Sequence, residues 1–102
     1  MSDVASIIRD AIVNRWQIVA TYDRYVREMC PHVMGFKNGR RQVLFFQFAG
    51  GSTRGLPPGG QWRCIPIDGL SSVTSRQGEW HTDPRHTKAQ TCVDQIEVEV
   101  GY

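Results

Sequence analysis

Two arginines and a histidine, in two separate segments of the chain, are the residues best suited to binding chemistry. Arg27, Arg63 and His32 lie on segments that we expect to be neighbours in one sheet. A guanidinium is a planar fork of donors that holds phosphate or carboxylate through paired hydrogen bonds. Tyr22 and Trp62 precede these arginines closely and are suited to stacking a ring against an arginine plane. The pattern predicts a site for an anionic ligand.

A structural role is the alternative for the same arginines. Arg27 and Arg63 could pair with Asp68, Asp94 or Glu97 and only order the sheet. The composition does not choose between the two, because 12 basic and 10 acidic residues leave a net charge of only +2.

A glycine-rich segment, residues 50–60 (GGSTRGLPPGG), is the second candidate for anion binding. Successive backbone amides of such a segment can form an anion nest, and Arg54 near its middle could close over a ligand. The segment lacks the Gly-Lys-Ser or Gly-Lys-Thr ending of a phosphate-binding loop, and no helix is predicted after it. We therefore expect a long connection between two strands, with Arg54 as a candidate ligand-binding residue.

Metal binding and catalysis are not expected, although six side chains are possible zinc ligands: Cys30, His32, Cys64, His81, His86 and Cys92. Only the last two histidines have a spacing typical of zinc sites, and no cysteine pair accompanies them. Cys30 and His32 flank a proline that distorts their strand, and no orienting acid or oxyanion donor is evident. The prediction is no catalytic residue, no metal, no cofactor and no enzymatic activity.

The three cysteines predict reduced thiols in a cytoplasmic protein. Their number is odd and no two are spaced as Cys-x-x-Cys. Cys64 is expected to be a small core residue. No apolar run approaches the roughly 20 residues of a membrane span, so no membrane association is expected.

The elements that must position these residues begin with a short amphipathic helix at 3–14. Its apolar residues recur at helical spacing on one face: Val4, Ile7, Ile8, Ala11 and Ile12. From residue 17 the period changes to two, and strands are predicted at 17–22, 25–36, 41–49, 61–67, 70–76 and 91–100. In the segment 61–67, Arg63 and Ile65 fall on the face opposite Trp62 and Cys64.

Turn chemistry completes the fold prediction. Asn38-Gly39 favours a type I′ hairpin, Asp23-Arg24 a tight turn, and Pro31 an edge or a bulge. The uninterrupted apolar run at 41–49 predicts a strand buried on both faces, by a barrel interior and by the helix. The expected fold is mainly β (α+β). It is one domain, 1–102, built as a small SH3/Sm-like antiparallel β-barrel of five or six strands at 17–100, with the N-terminal helix as a cap.

Several landmarks of the chain follow one another in a familiar order. They are Ala11-Ile12 in the helix, Tyr22 at a strand end, Arg27, Pro31-His32, the Gly39 turn, Leu44-Phe45-Phe46, Trp62-Arg63 and Leu70. Over roughly residues 5–76 this order resembles a WYL domain, an Sm-like barrel module often attached to bacterial helix-turn-helix regulators. The run that names the family stands here as Leu44-Phe45-Phe46, which keeps the apolar character and loses the phenol. The segment from residue 77 onward has no counterpart.

The resemblance implies a regulatory module that binds nucleic acid or a small ligand on one face of the barrel. Carried over by position, it places Tyr22, Arg27, His32 and Arg63 at that face, with Gln47 as an addition. The expected ligand is an anionic small molecule or single-stranded nucleic acid. Only about 15 residues precede the first strand, so any DNA reading is expected from a separate DNA-binding protein. The alternative function is protein–protein interaction, or a homodimer, through an edge strand such as residues 91–100.

Overall fold

A computed structural model describes residues 3–51, 55–56, 59–82 and 92–100 of the chain. Its elements are one helix and six strands, in the order α1 (Val4–Asn14), β1 (Gln17–Tyr22), β2 (Tyr25–Lys37), β3 (Arg40–Gly50), β4 (Gln61–Pro66), β5 (Ser71–Arg76) and β6 (Gln95–Glu99), with a 3-10 turn at Ile67–Gly69 after β4. The predicted mainly β fold with an N-terminal helix is confirmed. The predicted strand at 17–22 is matched, those at 25–36 and 41–49 are longer by one or two residues, and those at 61–67, 70–76 and 91–100 are shorter. Residue 91 lies outside the described residues.

Helix α1 begins and ends as its sequence indicates. The Asp3 carboxylate accepts a hydrogen bond from the Ser6 amide at 2.8 Å, which satisfies one free donor of the first turn. At the other end Arg15 adopts a left-handed conformation (φ 57°) and its amide closes back on the last turn. Ile8, Ala11 and Ile12 are fully buried. At 11 residues, the helix in the described part of the chain is too short to cross a membrane.

The strands form one antiparallel sheet with the order β4-β3-β2-β1-β5, and β6 pairs with β2 beyond the end of β1. Asn38 (φ 52°) and Gly39 (φ 77°) form the predicted hairpin turn, and Lys37 pairs with Arg40 across it. The pairing of β2 with β3 shifts register between Pro31 and Val33. This bulge confirms the prediction made from Pro31, since proline cannot donate to the ladder.

The sheet must curve strongly, because its two end strands are consecutive in the chain. Only residues 67–70 connect β4 to β5, although three strands lie between them in the sheet. The ends of the sheet therefore approach each other beside the 3-10 turn. Closure into a complete barrel stays a prediction, since β4 and β5 are not paired among the described strands.

Both faces of β3 are covered, but not by the expected elements. Phe45 and Val43 belong to the main core, which also contains Ile8 and Ile12 of the helix. On the opposite face Leu44 packs against Val33, Cys92 and Val93. The helix thus packs on the face of β3 that carries Val43 and Phe45. Cys92 and Val93 cover the other face.

Candidate functional site

A cavity of about 340 Å³ lies between the β1–β2 turn and β4. It is lined by seven residues: Tyr22, Asp23, Arg27, Trp62, Arg63, Cys64 and Ile65. Three of the six predicted ligand-binding residues, Tyr22, Arg27 and Arg63, therefore meet at one place. The curvature of the sheet accounts for this meeting, because it carries the end strand β4 towards the turn that joins β1 to β2.

Arg27 is the inner wall of this cavity. It is only 3% exposed although it carries a charge. Its Nε donates to the backbone oxygen of Tyr22 at 3.1 Å and its Nη1 to Oε1 of Gln47 at 3.3 Å. The Tyr22 ring lies 5.1 Å from the guanidinium carbon, within the range of a cation–π contact. These contacts fix the guanidinium in position before any ligand arrives.

Gln47 acts as the support behind Arg27. Its side chain is fully buried, and its Nε2 donates to the backbone oxygens of Ala49 at 3.1 Å and Gly51 at 3.0 Å. Those two bonds orient the amide so that its oxygen faces Arg27. Gln47 therefore holds a binding residue and is not among the residues that line the cavity.

The charge of Arg27 is incompletely compensated by its surroundings. Burial lowers the pKa of Arg27, and the nearby Arg63 guanidinium lowers it further, whereas Asp23, Tyr22 and Tyr25 oppose these effects. An arginine remains protonated at neutral pH despite such shifts. Two guanidinium groups that repel each other thus share one small cavity, an arrangement that a bound anion would stabilise.

Arg63 has hydrogen-bond donors that no described residue accepts from. The register pairs Arg63 with Phe45, and its side chain lies on the face that also carries Ile65, as the alternation of β4 predicts. Its Nε and Nη2 are buried without an acceptor in the described part of the chain. An unpaired buried donor costs about 1–3 kcal/mol. An acceptor on a ligand would recover that free energy once a small shift of the Arg63 side chain turns these donors towards the cavity.

Two of the three acids proposed as partners of these arginines bind other arginines. Asp68 lies 3.7 Å from Arg40, and one oxygen of Glu97 binds both Arg9 at 2.9 Å and Arg41 at 3.1 Å. Neither Arg27 nor Arg63 forms a salt bridge with another described residue. The structural alternative, in which Arg27 and Arg63 pair with Asp68, Asp94 or Glu97, is therefore wrong. The carboxylate that lines this cavity is that of Asp23.

His32 does not join the cavity. Its ring is 1% exposed, with Nδ1 2.9 Å from the backbone oxygen of Cys30 and Nε2 3.2 Å from the Thr82 hydroxyl. It packs edge-on against Trp62 (4.7 Å between ring centres) and at a tilt against Trp80 (4.8 Å). The expected position of His32 beside Arg27 needs correction, because His32 lies at the bulge between Pro31 and Val33 and its ring turns towards Trp62 and Trp80. Arg54, the sixth predicted residue, lies outside the described residues.

The prediction of three reduced thiols is wrong for two of them. Cys64 and Cys92 form a disulfide with a Cα–Cα distance of 5.6 Å. Cys64 is thus not a free core residue. The odd cysteine is Cys30, which is buried. The odd number of cysteines suggested that none is paired. Sequence spacing does not show that Cys92, 28 residues further along the chain, lies next to Cys64 in the fold.

Cys30 is chemically quiet in the folded protein. Its sulfur accepts the His81 amide at 3.3 Å, while the His32 imidazole faces the Cys30 carbonyl and not the thiol. Burial raises the pKa of Cys30 to about 11 from an ordinary value of 9.0. The thiol therefore stays protonated at neutral pH, in the form that is not nucleophilic.

This raised pKa predicts a loss of stability in alkali. Below the unfolded-state pKa both states hold the Cys30 proton; as pH rises towards the folded pKa of about 11, only the unfolded state releases it, so the folded state loses stability. Between about pH 8 and about pH 10.5 the free energy of unfolding should fall by about 2 kcal/mol more in the natural protein than in a Cys30→Ala variant. Urea unfolding at both pH values measures this difference. Equal losses would contradict it.

The described side chains among the six possible zinc ligands do not form a cluster. No group of three or more His, Cys, Asp or Glu side chains within the described ranges has the arrangement of a metal site. His81 stacks on Phe48 with ring centres 4.0 Å apart, and His86 lies outside the described residues. Sequence reasoning missed Asp23, Cys64 and Ile65 as cavity residues. Their positions within two residues of Tyr22 and Arg63 were the available signal.

The fold and the cavity define a class of protein. It is a small domain with one curved β-sheet, and its cationic site lies between the β1–β2 turn and the end strand β4. In comparisons with known proteins, no family model matches the chain, and neither a curated protein nor a solved structure matches it.

Proposed function

We propose that this protein is a ligand-binding regulatory module. Its ligand contains both a phosphate group and an aromatic ring and binds in the Arg27–Arg63 cavity. One observation carries the proposal: Nε and Nη2 of Arg63 are buried without an acceptor among the described residues, in a cavity shared with the buried Arg27. A charged acceptor would satisfy these donors and relieve the repulsion between the two guanidinium groups. The role is binding and not catalysis. The resemblance to WYL domains points the same way.

The walls of the cavity favour a ring next to the anion. Tyr22 and Trp62 line it, and stacking of a base on an aromatic side chain contributes about 1–3 kcal/mol. Asp23 lines it too, and its carboxylate can accept a hydrogen bond from a hydroxyl or amino group. A nucleotide presents all three features, as a free molecule or as one residue of a single strand.

Calorimetric titration with matched ligands tests the proposal. We expect a nucleoside monophosphate to bind and the same nucleoside without phosphate to bind at least about tenfold more weakly, since one charge-assisted hydrogen bond is worth about 1.5–3 kcal/mol. Raising the salt from about 50 to about 200 mM should weaken the nucleotide and leave the nucleoside unchanged. Equal affinity for both compounds would refute phosphate recognition.

A short single-stranded oligonucleotide separates the two sources of the phosphate. If the natural ligand is a strand, the oligonucleotide should bind more tightly than the mononucleotide and with a steeper salt dependence, because each further phosphate contact adds to the slope. If it is a free nucleotide, the oligonucleotide should show no advantage. A separate DNA-binding protein would then receive the signal.

Self-association through β6 is the second candidate function. Within the described residues β6 pairs with β2 alone, and Ile96 on it is 52% exposed. A strand with an open edge can pair with a second copy of the chain or with a partner's strand. Backbone pairing of this kind is insensitive to salt, so the solution mass at low and high salt distinguishes it from phosphate binding.

A cytoplasmic location stays a prediction, and one of its supports is gone. It rested on reduced thiols, whereas Cys64 and Cys92 are joined. Disulfides persist mainly in oxidising compartments.

A further inference from the structure

The Cys64–Cys92 disulfide lies at the wall of the cationic cavity. Cys64 lines the cavity beside Arg63 and is exposed. Cys92 is only 6% exposed and packs in the apolar cluster with Val33 and Val93. The two halves of the bond thus differ in access, since a reagent from solvent can approach the Cys64 side and is shielded from the Cys92 side.

We propose that Cys64 is a site of reversible modification by a small thiol that carries a carboxylate group. The inference rests on the proposed function, because Arg27 and Arg63 would hold the carboxylate as they would hold a phosphate. Arginine binds both anions through the same fork of donors. A carboxylate bound there places the thiol of the same small molecule within the cavity that Cys64 lines.

The reaction is a balanced thiol–disulfide exchange. The thiolate sulfur of the small molecule attacks Sγ of Cys64 and forms a new S–S bond. The bond between Cys64 and Cys92 breaks, and its electron pair leaves on Sγ of Cys92, which takes a proton from solvent. The incoming sulfur is oxidised and the Cys92 sulfur is reduced, so no further oxidant or reductant is needed.

Two features of the cavity favour this exchange over reaction with thiols in general. The positive field of the two arginines concentrates anions and stabilises the thiolate form of a bound thiol, which is the nucleophile. The Cys92 thiol is released into an apolar cluster, where it is a small neutral side chain. It stays next to Cys64 and can displace the small molecule again, which makes the modification reversible.

A charge series of small thiols tests the proposal on the oxidised protein. 3-Mercaptopropionate, 2-mercaptoethanol and cysteamine carry a carboxylate, no charge and an ammonium, and their rates are compared at equal thiolate concentration. We expect the mass-spectrometric adduct to form about tenfold faster with the carboxylate than with the neutral thiol, and slowest with the ammonium. Peptide mapping should place it on Cys64. Rates that do not depend on charge, or an adduct on Cys92, would overturn the proposal.

Variants separate this inference from the proposed function. Arg63→Met should abolish the charge preference, whereas Arg40→Met should keep it, because Arg40 is exposed and pairs with Asp68. Nucleotide binding is measured on the same preparations. Nucleotide binding without a charge preference in the exchange overturns the modification site alone. If Arg63→Met changes neither the charge preference nor nucleotide binding, the proposed function is overturned as well.

Discussion

Replacing Arg63 by methionine should weaken nucleoside monophosphate binding by about 10- to 100-fold, because one or two charge-assisted hydrogen bonds worth about 1.5–3 kcal/mol are lost. The melting temperature should stay the same or rise slightly. Nε and Nη2 of Arg63 have no acceptor among the described residues, so methionine removes two unsatisfied donors and the repulsion on Arg27 while it keeps an apolar stem. Calorimetric titration and thermal unfolding measure the two effects.

Three further variants show whether the effect belongs to the guanidinium fork. Arg63→Lys should keep part of the affinity, since it retains the charge and loses the paired donors. Arg27→Met should lose binding and also stability, because it leaves the Gln47 oxygen and the Tyr22 carbonyl without their donor. Arg40→Met should change neither, since that side chain is 62% exposed. Full affinity in Arg63→Met would remove the basis of the proposed site.

An expected loss of affinity without a loss of stability is typical of a ligand-binding residue that contributes little to the stability of the fold. Arg27 is held by the protein's own acceptors and is part of the core. Arg63 lies on an end strand with unused donors. A residue whose replacement lowers the affinity and leaves the stability unchanged has a role in ligand binding and not in folding.

Local chemistry explains which parts of the fold were predictable. Asn38-Gly39, Pro31 and the alternation in β4 each depend on a few neighbouring residues, and the turn, the bulge and the inward position of Arg63 follow from them. The convergence of Arg63 with Tyr22 and Arg27 depended in addition on sheet curvature. The order of strands suggested that curvature and did not determine it.

The wrong predictions concern a side chain at a bulge and a contact between residues far apart in the sequence. His32 lies at the bulge between Pro31 and Val33, which interrupts the alternation of β2, and its ring packs against Trp62 and Trp80. The Cys64–Cys92 bond depends on the position of Cys92, which packs with Val93 beside Leu44 of β3. No periodicity in the sequence shows that position, and the odd number of cysteines pointed away from it.

Reduction of the Cys64–Cys92 bond should destabilise the protein by about 3 to 4 kcal/mol, which corresponds to a fall in melting temperature on the order of 15 °C. The bond closes a loop with a sequence separation of 28, and its loss returns that conformational entropy to the unfolded chain. Thermal unfolding with and without dithiothreitol measures the change. A Cys64→Ala, Cys92→Ala double variant should melt near the reduced protein and should not respond to dithiothreitol.

The same reduction should also weaken nucleotide binding, because of where the bond lies. Among the described strands β4 pairs with β3 alone, and the disulfide links it covalently to Cys92, three residues before β6. A looser β4 spreads Arg63 and Trp62 over more positions, so a ligand must fix them at an entropic cost. Hydrogen exchange should therefore rise in β4 and stay unchanged in the hairpin of β2 and β3. An affinity that survives reduction, in protein shown by mass to carry free thiols, would mean that β3 alone positions the cavity wall.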